Sequence, residues 1–186
     1  MANKDLTKSI LSIATSFTDE QEKVTQRRNI WINFKVLELS NQLNDLATTI
    51  KNSSVYFQNS SLYVRKVNTN LSASINKRLE NSDLVSVILM QGTSPITSFK
   101  SISDSEYSVI AERGFQLIFT PQYNFMIGVT FWSAEVEGGQ SAQSTFLGFF
   151  SPEELGEEKV QELLLKALKL ARENSYLFTG LLDYIK

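Results

Sequence analysis

Asp83-Leu84-Val85-Ser86-Val87-Ile88-Leu89-Met90-Gln91-Gly92 is the stretch that decides the fold. Residues 84–90 carry no charge and end at Gln91-Gly92. A run this short, rich in β-branched residues and closed by glycine, reads as a buried strand. It also divides the chain. All eight glycines and all three prolines lie at or beyond Gly92. Without glycine or proline, the first 91 residues favour long helices over turns.

Downstream of the divide the pattern is that of strands. Segments 96–102 and 107–111 read as short strands. Phe115-Gln116-Leu117-Ile118-Phe119-Thr120 reads as another, followed by a tight turn at Pro121-Gln122-Tyr123-Asn124. Phe125 to Val136 is a long strand. Phe125, Ile127, Val129 and Phe131 fall on one of its faces, and Met126, Gly128, Thr130 and Trp132 on the other. Thr145 to Phe150 is one more. Ser151-Pro152-Glu153-Glu154 then forms a capping box with proline at the first helical position. Gly156 interrupts the first turn, so the main helix starts at Glu157. Its apolar face is Val160, Leu163, Leu164, Ala167, Leu168 and Ala171. Acids gather at its start and bases at its end, as the helix dipole prefers. The apolar tail 176–185 is expected to dock on the body.

Upstream, Leu6, Ile10, Ile13, Ala14 and Phe17 recur at helical spacing. Thr18 with Gln21 resembles a second capping box, and predicts a new helix running to about Lys51. Ile30, Phe34, Leu37, Leu39, Leu43, Leu46 and Ile50 form its stripe. Asn52-Ser53-Ser54 and Asn59-Ser60-Ser61 are weak helical points around Val55-Tyr56-Phe57. Val64, Val67, Leu71, Ile75 and Leu79 then predict a returning helix, hence an antiparallel hairpin. The expected class is α+β: long N-terminal helices, a mostly antiparallel sheet of four to five strands and a C-terminal covering helix. Residues 1–83 form the helical segment and 84–186 the sheet with its helix, together one compact unit.

Composition excludes much chemistry. The chain has no histidine and no cysteine, hence no Ser-His-Asp triad, Cys-His pair, disulfide, or imidazole or thiolate metal site. No cofactor is expected. The net charge is −2, split between 11 basic and 8 acidic residues in 1–83 and 7 and 12 in 84–186. Neither half has the basic field that draws nucleic acid. Lys23, Arg27 and Arg28 share a helix region but are too few for a nucleic-acid helix. Arg27 is placed to stack on Trp31, and Asp19 to pair with Lys23. No run of 18 apolar residues predicts a membrane span, and the start lacks a secretory leader. A cytoplasmic location is expected.

Candidate sites are few. Glu135 and Glu137 share a strand face before Gly138-Gly139, with Glu112 or Asp104 as a further carboxylate. Paired carboxylates can serve acid–base or metal-assisted chemistry, but no lysine follows until Lys159. A solvated strand end accounts for them more simply. Glu112-Arg113-Gly114 puts a guanidinium beside flexible backbone, an anion-binding element that equally suits a hairpin turn. Trp132, among Phe115, Phe119, Tyr123, Phe125, Phe131, Phe146, Phe149 and Phe150, makes the sheet aromatic on both faces. Two covers are then needed: the N-terminal and C-terminal helices, or else a partner or an apolar ligand. Trp31, Phe34, Tyr56 and Phe57 are the aromatic candidates for a partner surface. The expectation is a non-catalytic intracellular interaction or regulatory protein, self-associating or bound to a protein partner. The alternatives are a carboxylate-based, possibly metal-assisted enzyme and a binder of small apolar ligands.

Overall fold

The computed structural model describes residues 2–54, 57, 61–68, 85–92, 100–101, 107–108, 113–122, 124–135 and 143–173. The class is α+β, with a long N-terminal helix, a five-stranded antiparallel sheet and a C-terminal helix.

The N-terminal helix is continuous. Helix α1 (Ala2–Ile30) passes through one π turn (Trp31–Lys35) into α2 (Val36–Ser53). At ~1.5 Å per residue the whole rod is about 75 Å long. No helix starts at Thr18. A capping box acts only where the chain leaves helical geometry, and nothing in 2–30 breaks it. The rod ends where Asn52-Ser53-Ser54 weakens it, with Ser54 extended at φ −142° and ψ 124°.

The π turn resolves a conflict of phase. Ile10, Phe17, Val24 and Trp31 are seven residues apart, with Leu6 and Ile13 in the interleaved heptad position. After Trp31 the stripe is Val36, Leu39, Leu43 and Ala47, all buried. The step from Trp31 to Val36 is five residues, one more than an α turn carries. Val36 N–H bonds to Trp31 O, the five-residue closure of a π turn. Trp31, Lys35, Val36 and Leu39 thus all reach the body. This corrects the expected stripe at one end: Phe34 and Leu37 point outward and are exposed.

Strands β1 (Ser61–Asn68), β2 (Val85–Gly92), β5 (Arg113–Pro121), β6 (Ile127–Glu135) and β7 (Gln143–Phe150) are arranged β1-β2-β5-β6-β7. Every neighbouring pair is antiparallel. β3 (Lys100–Ser101) and β4 (Tyr107–Ser108) form a small ladder of their own. β1 corrects the expected helical hairpin, because Val64 and Val67 lie on a strand. In Leu62-Tyr63-Val64-Arg65-Lys66-Val67 the β-branched and aromatic residues suit a ladder, and pairing along all of β2 decides the matter. Leu71, Ile75, Leu79 and the tail 176–185 lie outside the described residues. The sheet therefore begins on the N-terminal side of Asp83.

The two sheet faces differ, as the alternation along β6 predicts. One face carries Leu62, Val87, Leu89, Phe115, Leu117, Phe119, Ile127, Val129 and Phe131, all buried. Both α2 and helix α3 (Glu157–Glu173) pack on it, through Leu39, Leu43, Val160, Leu163, Leu164 and Ala167. The two helices thus share one face instead of covering one each. The second face carries a smaller cluster of Ile88 and Met90 with Tyr63, Val67, Ile118 and Trp132. The ends of α3 match the sequence. Ser151 N–H donates to Glu154 Oε2 at 2.6 Å across a 3-10 turn (Pro152–Glu154), and α3 begins after Gly156.

Two backbone points shape the sheet. In the β5–β6 turn Phe125 adopts φ +53°, with its N–H on Gln122 O at 2.8 Å and Asn124 Oδ1 accepting from Met126 N–H at 3.1 Å. Burial of the Phe125 ring in the core holds this left-handed residue in place. Gly148 sits at φ +142° beside the β-bulge that shifts the β6–β7 register. A Cβ there would lie 3.1 Å from the Phe150 ring. Gly148→Ala is expected to cost about 1–3 kcal/mol in a urea titration. An unchanged midpoint would contradict the assigned bulge geometry.

Candidate interaction surfaces

The carboxylate and anion candidates do not assemble among the described residues. Glu112 and Glu137 lie outside them. Glu135 closes β6 directly opposite Arg113 of β5, so the register sets an acid across from a base at the open end of this hairpin. No group of three or more acidic residues fit to hold a metal occurs among the described residues.

The aromatic candidates separate cleanly. Trp31 has no exposed surface, and its Nε1–H donates to Val85 O at 3.1 Å. It belongs to the protein's own core and cannot serve as a contact for a partner. Phe57 packs partly against the same core. Tyr56 lies outside the described residues. Of the three that are described, only Phe34 stands exposed. Trp132 lies on the second sheet face, in register with Gln116, which is in turn opposite Met90.

Gln116 is the unusual residue of that face. It is 1% exposed, and neither atom of its amide finds a hydrogen-bond partner among the described residues. Leaving a buried amide unbonded costs stability that an apolar side chain of like size would not lose. Gln116→Leu is therefore expected to raise stability by about 1–3 kcal/mol in chemical denaturation. A loss of stability would mean that the amide is satisfied in solution.

Apolar surface gathers most heavily on α1. Residues 5–23 are exposed throughout, and contact with the body begins at Val24. Leu6, Ile10, Ile13 and Phe17 stand on one face of this arm, exposed by 61%, 58%, 59% and 73%. They continue the heptad face by which Val24 and Trp31 dock, past the edge of the body. The next position on the seam is charged. Glu20 pairs with Arg27 at 3.4 Å and with Lys23 at 3.9 Å, so Lys23 meets Glu20 where Asp19 was expected. Arg27 Nη1 also reaches Asn124 O at 3.5 Å on the β5–β6 turn, anchoring the arm's base. The apolar part of the face is therefore bounded at Phe17.

Two further features are smaller. Phe146 and Phe149 on the outer strand β7 form an exposed edge-to-face pair with ring centres 4.7 Å apart. An open groove follows α1 past Gln21, Thr25 and Asn29 to Ile30 and Phe34. No described helix is long and apolar enough to cross a membrane.

No family model, curated protein or solved structure matches this chain, so its own side chains carry the functional argument.

Proposed function

We propose that this is a non-catalytic intracellular interaction protein whose docking element is the projecting arm of α1. One observation carries the reading: four large apolar side chains, Leu6, Ile10, Ile13 and Phe17, share a helix face that covers nothing in the body. Monomeric proteins seldom leave a contiguous apolar stripe in water, and such stripes mark contact surfaces. The absence of histidine and cysteine agrees with a role in binding.

The test is capture at the arm. Ser16 flanks the stripe, and its hydroxyl donates to Ile13 O of its own helix. A photo-crosslinking residue at position 16 of the full chain is expected to yield a discrete adduct in cells that express it. The same residue at Thr48, on the exposed side of α2, is expected to yield none. Equal labelling at the two positions would remove the reading.

A further inference from the structure

We infer that the occupant of the arm is a second copy of the arm, paired antiparallel. This rests on the proposed role of α1 and names its partner. The spacing Leu6, Ile10, Ile13, Phe17 is four-three-four, the alternation by which two helices pack side chains into each other's gaps. A partner able to fill that seam is itself a helix with the same spacing. The other apolar helix faces described are already engaged, since α2 and α3 spend theirs on the sheet.

The stripe is complementary to itself when reversed. With residues 11 and 12 at the midpoint, Leu6 meets Phe17 of the other copy and Ile10 meets its Ile13. Four layers form, each joining Ile10 or Phe17 of one copy to Ile13 or Leu6 of the other. The flanking Ser9, Ala14 and Ser16 are small and let the helices approach closely. Eight large apolar side chains leaving water together account for on the order of 1,000 Å², the least a biological interface needs and the size of a weak, reversible one.

The bodies select the direction. Val24, where each body begins, lies about 19 Å from the midpoint along the helix. Antiparallel pairing sends the bodies to opposite ends, roughly 38 Å apart, with the arms free to meet. Parallel pairing would set both bodies at one level and bring Glu20, the next position on the seam, beside the same acid of the other copy. A membrane surface is the less suitable occupant. Opposite the stripe, the arm offers Lys8, Ser12, Thr15 and Asp19, one lysine matched by one acid and short of the basic face that anionic lipid attracts.

The absence of cysteine makes the direction testable. Leu6→Cys and Phe17→Cys are prepared separately in the full chain and oxidised mildly, alone and mixed. The expected result is a disulfide-linked dimer from the mixture and little from either alone, with wild-type chain dimerising in the roughly micromolar range by sedimentation. Self-linking of each variant alone would overturn the antiparallel arrangement. Sedimentation as a monomer at every concentration, with or without adsorption to lipid vesicles, would overturn self-pairing. If the adduct at position 16 is then a different protein, the docking reading stands and only the partner is wrong. If no adduct forms either, both fail. Circular dichroism identical to wild type checks that neither variant has unfolded.

Discussion

Trp31→Ala is expected to destabilise the protein by about 3–5 kcal/mol, the largest effect of any single substitution considered. Trp31 is fully buried at the junction of three elements: the end of α1, the π turn and the start of β2. Truncation removes the largest side chain in the core and leaves a cavity that a rigid helix on one side and a paired strand on the other cannot close. It also orphans the Val85 carbonyl, which receives the indole N–H at 3.1 Å. Trp31→Phe separates the two losses. It keeps most of the ring and forfeits the hydrogen bond, so about 1–2 kcal/mol is expected. Urea unfolding followed by the circular dichroism of the helices measures both. A loss below ~1 kcal/mol for Trp31→Ala would show that the helix does not dock through this residue.

The double variant Ile10→Lys/Ile13→Lys is expected to do the opposite, leaving stability alone and abolishing association. Both side chains stand more than half in water, on a stretch of helix that touches nothing in the body. Lysine is a better helix former than isoleucine, so the unfolding free energy should stay within about 0.5 kcal/mol of wild type. In an antiparallel pair the same change places four ammonium groups in the two central layers. Association should weaken by at least about 100-fold, equivalent to roughly 2.8 kcal/mol. A variant that unfolds more easily by several kcal/mol would instead place these residues in the monomer's own core.

The contrast between Trp31 and Ile10 also shows what could be read in advance. The two residues occupy the same heptad position, and spacing cannot tell which is covered. That depends on where the sheet stops, a fact of tertiary structure. The strands were readable wherever alternation is strict, as in Ile127 to Phe131, and so was α3, whose start is punctuated by Ser151, Pro152, Glu154 and Gly156. Local pattern misled in three places. The Thr18–Gln21 box has the residues of a cap without the break in backbone that a cap needs. β1 has apolar residues at both helical and strand spacing, and its register with β2 settles the matter through partners 17 to 31 residues away. The π turn shows in the sequence only as a five-residue step from Trp31 to Val36, which forces Phe34 and Leu37 outward. The docking stripe was visible as a stripe, but its exposure was not. Carboxylates at hairpin ends are among the reactive groups left to a chain without histidine, and the register pairs Glu135 with Arg113.

Amide hydrogen exchange over residues 5–17, followed across protein concentration, tests the central claim most directly. Where the arm stands alone in dilute solution, this exposed part of α1 should open and exchange readily. The account predicts that its protection rises with the concentration of wild-type chain, and that Ile10→Lys/Ile13→Lys stays unprotected throughout while β5 and β6 exchange alike in both proteins. Protection of residues 5–17 that is equal in the two proteins and independent of concentration would contradict it.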